Sequence, residues 1–483
     1  MAFYHAFNCS GFAAALFLSV FLLGFSPSAA FCAETKAVSD PIVRQTPAWL
    51  DTGVMYQINL RAYTEEGTIA AAEKKLEDLA RLGITIVYLC PFFTADDDPN
   101  RDWWTPRQKA SKLNNAKNPY RMKDYYHIDP EYGTDADLKR YVEKAHSLGL
   151  KVLFDLVYLH CGPTAVFLKD HPYFVKRDAQ GKIINSEWHF PEINFQNQEL
   201  RRYLFDNMIY WIRDFDVDGF RCDAVTHTPL DFWEEARDEL EKIKPGIVLL
   251  AEGEKKDYMK KAFDICYSYT LCNSAKFKNA DLIAKRFAGL TQMPEKRYIQ
   301  FLDQHDIANN DWDNRVEKRI GSDKINAFFV LGYMLPGTPM IYCGQEVCDK
   351  NRHSIFGHAP MDESGKIIGP PLVIDWKAGN SPEGRKRFEL LSALGKIRKN
   401  YPGLFTGKTV WVKNSSPQNI ISFLRKAPDL NVLTLVNISD HPVRFSVESD
   451  FLNIPLLQNG KIGKDQYELP AFGWLILKSQ AVK

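Results

Sequence analysis

VDGFRCDAVTH, residues 217–227, sets an arginine two places before an aspartate in an otherwise apolar run. In a β-strand, residues two apart point to the same side. Arg221 and Asp223 therefore share one face, while Phe220 and Cys222 pack on the other. Two readings stay open at this point: an ion pair closing a strand end, or a carboxylate held ionised by a guanidinium for use as a nucleophile or electrostatic stabiliser.

The run belongs to a series. Short apolar, β-branched stretches that end in polar residues recur as VMYQINLRAY, ITIVYLCPFF, KVLFDLVYLH, VDGFRCDAV, GIVLLAEGE, FDICYSYTL, RYIQFLDQHD and TPMIYCGQE. Amphipathic helical patterns lie between them. AAAEKKLEDLARLG and DADLKRYVEKAHSLGL each carry a glycine stop, and NQELRRYLFDNMIYWIRDF and DFWEEARDELEKI follow with helix-period apolar positions. Eight such units predict an α/β fold, a (β/α)8 barrel over residues 45–400, against a doubly wound sheet as the competing architecture. Residues 161–198, between the third strand and its helix, predict a short inserted subdomain. After Pro402 the helical pattern stops, and the runs VWVKN, IISFLRK, NVLTLVNIS, VRFSVES and GWLILKS predict a C-terminal antiparallel β-sandwich over residues 403–483.

Composition narrows the function. A net charge of +1 on 483 residues, with charges evenly mixed, leaves no footprint for nucleic acid or an acidic membrane. Phosphate loops, GxSxG elbows and HExxH motifs are absent, and no GxGxxG follows the first strand. Residues 1–30 read as a signal peptide. FAAALFLSVFLLGF is shorter than the ~20 apolar residues of a spanning helix, and Ser28-Ala29-Ala30 offers a small-residue cleavage site. A secreted or periplasmic protein follows, although the segment before the apolar run carries no Lys or Arg. Cys32 raises a lipid anchor, against which stands the bulky Phe31 before it. The nine cysteines lack C-x-x-C spacing and read as buried thiols, with Cys266/Cys272 and Cys343/Cys348 as the pairs near enough to bridge.

The ionisable residues fall at strand ends. Asp155 and His160 close the third strand, Arg221, Asp223 and His227 the fourth, Glu252 the fifth, and Asp303, His305 and Asp306 the seventh. In a barrel these positions converge on one face, where catalytic sites lie. Several carboxylates without a nucleotide loop or a metal cluster suit glycoside cleavage. One carboxylate attacks the anomeric carbon and a second carboxyl protonates the leaving oxygen, with ~5 Å between them for retention. Adjacent strands ~4.8 Å apart bring Asp223 and Glu252 near each other.

With those motifs in place, the chain resembles the α-amylase family, glycoside hydrolase family 13. DLVYLH, DGFRCDAVTH, LLAEGE and FLDQHD are similar to its four ordered regions, PGTPMIYCGQE to its eighth-strand segment, and DYYHIDPEYGT to the approach to its third strand. The resemblance implies Asp223 as nucleophile, Glu252 as general acid/base and Asp306 as the third carboxylate; Glu254 is a rival acid outside the match. It implies Tyr120 as a platform for one glucose unit, His160 and His305 as ligands of sugar hydroxyls, Arg221 as partner of the nucleophile and His227 on the leaving-group side. Trp103, Trp104 and Trp188 are candidates for stacking on sugar rings or for packing.

Departures from the family pattern carry expectations too. Leu159 stands where the family often has a calcium-ligating Asn, and leucine offers no oxygen to a hard cation, so a structural calcium is doubtful and no cofactor is expected. Gln304, Arg121 and Thr226 also differ from residues common in relatives. The implied activity is a retaining hydrolase of α-glucosidic bonds in starch-like glucans or maltooligosaccharides, acting through a glycosyl-aspartate. A transglycosylase on the same site and a non-catalytic glycan-binding protein are the alternatives. Chain-length preference and endo or exo attack rest with the inserted segment and the loops after strands two and eight.

Overall fold

The computed structural model describes residues 43–290, 297–310, 315–428, 430–448, 454–464 and 466–480. The expected signal peptide over residues 1–30 and Cys32 lie outside the described residues.

All eight anticipated stretches form strands, and they close into one parallel barrel. In chain order these are Met55–Ile58, Ile86–Leu89, Lys151–Leu156, Gly219–Cys222, Val248–Ala251, Ile265–Ser268, Tyr298–Phe301 and Thr338–Tyr342, called here strands one to eight. Strand one pairs with both strand two and strand eight, which excludes the doubly wound alternative. Alternate residues fill the barrel interior, with Met55, Tyr88, Leu153, Leu250, Ile299 and Met340 in one inner cluster.

The helices form where capping chemistry and periodicity agree. Asp135–Ser147 starts at a capping box, in which the Thr134 hydroxyl accepts from Asp137 N–H and the Asp137 carboxylate accepts from Thr134 N–H. Gln198–Phe215 starts at Asn197, whose side chain accepts from Glu199 and Leu200 N–H, and it stops at the left-handed Asp216. The first helical pattern differs from expectation. It divides into Ile69–Glu73 and Leu76–Leu82 at Lys74 and Lys75, whose ψ of −17° and −3° depart from the helical value, while Thr68 caps the first piece and Gly83, at φ 90°, ends the second. A Cβ on Gly83 would meet the Cα of Gly395 at 3.1 Å, so the glycine also permits a close helix approach.

Residues 161–198 carry two 3₁₀ turns, Val166–Lys169 and Pro172–Phe174, stitched by single bridges such as His160 to Glu192 and Asn185 to Pro191. This stretch is held over the barrel mouth by the end of strand three. Beyond the barrel, a five-stranded and a three-stranded antiparallel sheet face each other. Ile420, Leu424, Leu433, Leu435, Leu475 and Leu477 fill the space between them with Phe445 and Leu469. The opposite face of the larger sheet, Phe423, Val432, Val436, Trp474 and Ile476, belongs to the same core as the barrel helices. All seven cysteines among the described residues are buried free thiols, so neither Cys266/Cys272 nor Cys343/Cys348 is bridged.

Candidate active site

Strand four ends with Arg221 fully buried and its guanidinium aimed along the barrel mouth. Nη1 donates to Asp155 Oδ1 and to Asp223 Oδ1, both at 2.7 Å, and Nη2 lies 2.8 Å from Glu252 Oε2. One arginine thus serves three carboxyl groups from three adjacent strands. Just past Asp223 the chain turns through Ala224, at φ 43°, a left-handed conformation costly for a residue with a Cβ. The turn aims Ala224 N–H at Glu252 Oε2, 2.8 Å away.

A second network orients the far side. Gln57 Oε1 accepts from His305 N–H at 3.0 Å, which leaves Gln57 Nε2 to donate to His305 Nδ1 at 2.8 Å. Nδ1 is then the acceptor nitrogen, so His305 Nε2–H faces the Tyr120 hydroxyl at 2.7 Å. Tyr120 in turn donates to Asp155 Oδ2 at 3.0 Å, beside Tyr88 at 2.7 Å, and its ring stacks on His305 at 5.4 Å and 7°. His160 Nε2 donates to Tyr120 O at 2.9 Å. Asp306 receives Arg107 Nη2 on Oδ1 at 3.0 Å, and its own N–H donates to Gln304 Oε1 at 2.8 Å.

Burial and charge divide the carboxyls. Burial raises Asp223 to about 6 and outweighs the opposing pull of Arg221. Arg221 still favours the ionised form, as expected, and near pH 7 Asp223 is mostly a carboxylate. Burial also raises Asp155 to about 6 and Glu252 to about 7, the latter reinforced by the charges of Asp223 and Asp306. At Asp306 burial acts upward too, but the positive partners around it, His305 when charged and the guanidinium groups of Arg107 and Arg221, hold the carboxyl well below its ordinary range. His160 and His305 are pushed down to about 4, mainly by burial, and are neutral near pH 7.

Tyr120, His160, Asp223, Glu252 and Asp306 line one cavity together with Thr105, Arg107, Asn118, Trp188, Phe190, Ile355 and Phe356. Arg221 and His305 lie directly beneath it. His227 stands outside, exposed, with its ring edge on Trp188 at 5.2 Å and Nε2 3.4 Å from Glu187. Glu254 is also outside, accepting from Tyr269 N–H at 2.7 Å. Asp303 is buried against Arg315 at 3.2 Å, away from the cavity. Trp104 is buried under Arg101, a packing role, whereas Trp188 reaches the cavity.

The family model for the α-amylase catalytic domain matches residues 53–389, the whole barrel. The chain belongs to the α-amylase family. It is accordingly a glycoside hydrolase of α-amylase type. Alpha-amylase 2 of Dictyoglomus thermophilum is 23% identical over 448 residues, 85% of this chain and 73% of that protein. A cyclomaltodextrinase of Geobacillus thermopakistaniensis is 24% identical over 413 residues, 78% of this chain and 63% of its own length. Among solved structures, the maltogenic α-amylase AmyB of Thermotoga neapolitana superposes with a TM-score of 0.70 at 26% identity, covering 89% of this chain and 97% of that one.

Against this family background two positions stand out. Leu159 is buried and presents only methyl groups, so the residues here do not fit a hard cation at that point. Among the described residues, no group of three or more His, Cys, Asp or Glu side chains is placed to hold a metal ion. Arg107 is the functional residue that sequence reasoning missed. It sits in WWTPRQK, and the fold brings Asp306 to it across 199 residues. Its one local signal is Thr105-Pro106, a cap and first-turn proline that start the short helix Pro106–Ala110.

Proposed function

We propose that the chain is a retaining α-glucosidic hydrolase acting on starch-like glucans or maltooligosaccharides. The observation that carries this is the placement of Asp223 and Glu252 on neighbouring nitrogens of Arg221, with different affinities for a proton. That arrangement fits the short, ~5–5.5 Å carboxyl spacing of retaining enzymes. In the first step the Asp223 carboxylate bonds to the anomeric carbon while the C–O bond to the leaving sugar breaks and Glu252 delivers its proton to that oxygen. In the second step Glu252, now a carboxylate, takes a proton from water as the water oxygen displaces Asp223. Both carboxyls return to their starting states.

The supporting groups fit this division of labour. Asp306, kept ionised by Arg107, is placed to bind sugar hydroxyls and to face the positive charge that develops on the ring. Tyr120, fixed edge-on by Asp155 and His305, offers a flat face to the same sugar. The reading needs no calcium at Leu159. It includes export of the chain, on the strength of the signal-like segment over residues 1–30.

Asp223→Asn is the direct test. With soluble starch and maltoheptaose as substrates, release of reducing ends by this variant falls by ~10⁴-fold or more, as expected when a covalent nucleophile is lost. Wild-type-like turnover by the variant would remove Asp223 from the chemistry.

A further inference from the structure

The loop after strand two and the inserted stretch 161–198 meet beside the cavity, and a buried arginine lies at their joint. Arg121 is fully buried, with its guanidinium enclosed by the loop. Nη2 lies 3.0 Å from Asp96 O, 2.8 Å from Asp98 O and 3.0 Å from Ala116 O, and Nη1 donates to Trp103 O at 3.3 Å. The Asp96 carboxylate, itself buried, stands 3.5 Å from Nη2. Carbonyl oxygens and a carboxylate converging in this way are the donors that surround a hard metal ion. Here they surround a guanidinium, which carries a fixed charge and donates only.

The same carboxylate reaches the inserted stretch. Asp96 Oδ2 accepts from Thr164 N–H at 2.8 Å and from the Thr164 hydroxyl at 2.7 Å, while Oδ1 accepts from Asp98 N–H at 2.9 Å. A Cβ on Gly162 would lie 2.3 Å from the Asp96 side chain, so glycine is what lets the two segments come this close. Backbone bonds complete the seam: Asp96 N–H donates to Arg121 O at 2.7 Å, and Gly162 N–H donates to Met122 O at 2.6 Å. Leu159, just before this stretch, has a side chain without oxygen, so the seam draws on Asp96 and Arg121 instead.

The joint sets the place of cavity groups on both of its sides. Tyr120 N–H donates to Asn118 Oδ1 at 3.0 Å, Arg121 N–H donates to Asn118 O at 2.8 Å, and His160 Nε2 donates to Tyr120 O at 2.9 Å. Asn118, Tyr120 and His160 all line the cavity, whereas Arg121 stands behind it. Without a cation among them, the buried carbonyls and Asp96 would face one another unpaired, which is costly away from water.

We propose that Arg121 is a built-in cation that takes the holding role of a structural metal ion at this joint, so that the loop carrying Asn118 and Tyr120 keeps its place with no divalent ion bound. Arg121 acts through Asp96 and the loop carbonyls and is a positioning residue. The inference goes beyond the α-glucosidic reading and stands apart from it.

The experiment uses the full chain and follows thermal unfolding by circular dichroism, beside steady-state kinetics on maltoheptaose. Wild type passed through EDTA keeps its unfolding midpoint within ~1 °C, and added calcium chloride does not raise it, because an ion that bound only the native state would do so. A fall of ~4 °C or more on chelation, restored by calcium, overturns the proposal. Arg121→Met, similar in bulk but without charge or donors, lowers the midpoint by ~4 °C or more and raises KM ~10-fold. Arg121→Lys keeps the charge and recovers at least half of both losses. Equal behaviour of the two variants would mean that packing of the side-chain stem holds the loop, and the proposal falls. If Arg121→Met yields no folded protein, chelation of wild type and of Arg121→Lys decides, with unchanged midpoints expected for both. If wild type cuts no α-glucan, the α-glucosidic reading falls while the unfolding comparison still decides the role of Arg121.

Discussion

At the scale of single residues, the site is a contest between burial and charge. Arg221 is shared by Asp155, Asp223 and Glu252, so no one of them receives its full attraction. Burial, against that divided attraction, raises Asp223 to about 6 and Glu252 to about 7. The proposed chemistry needs Asp223 deprotonated and Glu252 protonated. As pH falls through about 6, Asp223 gains a proton and attack is lost; as pH rises through about 7, Glu252 loses its proton and leaving-group assistance is lost. The profile of kcat/KM is expected to be a narrow bell with its maximum between those two values. Asp306 and the two neutral histidines add no limb near neutrality. A flat profile from pH 5 to 9 would contradict this assignment of roles.

At the scale of elements, what matters is that loops after different strands are fastened to one another. Arg61, in the short helix Leu60–Tyr63, is almost fully buried; it pairs with Glu131 at 2.7 Å and donates to Lys117 O and Ile355 O, in the loops after strands two and eight. Replacing it by a side chain of similar bulk without donors, Arg61→Met, leaves Glu131 and two carbonyl oxygens without this partner. The expected cost is ~2 kcal/mol or more in stability, read from denaturant unfolding. Because these loops bring Asn118, Ile355 and Phe356 to the cavity, the same variant is expected to show a raised KM on maltoheptaose while retaining chemistry at Asp223 and Glu252. An unfolding midpoint and KM both equal to wild type would show that the two loops hold their place without Arg61.

At the scale of the whole molecule, the C-terminal sheets and the barrel share a core. The five-stranded sheet turns Phe423, Val432, Val436, Trp474 and Ile476 towards the barrel helices, and the strand Leu430–Asn437 packs on the helix Ser322–Met334. Each such side chain contributes ~2 kcal/mol by its burial. Together they rival the ~5–15 kcal/mol net stability of a typical domain. A chain cut after Pro402 is therefore expected to express as aggregate and the full chain to stay in the supernatant; sedimentation of the two lysates decides it. A soluble, active truncated chain would show that the barrel needs no cover on that face.

The sequence by itself determined the barrel, because eight apolar runs recur along it, most of them ending in polar residues and most followed by a helix with its own cap or stop. It also determined which carboxylates meet, since the end of a barrel strand has one place to be. Other elements were hidden by burial or exposure. The helix Ser322–Met334 is covered on nearly every side and shows little periodicity, and the strand Ile454–Gln458 is largely exposed and contains Pro455, so it shows no alternation. Only the tertiary structure decided how protons are shared and which distant side chains meet in the pocket. Asp223 is raised rather than lowered because burial depends on all its neighbours, and Arg107 meets Asp306 across 199 residues of chain. VDGFRCDAVTH announced a charged pair; the fold made it one guanidinium among three carboxyls.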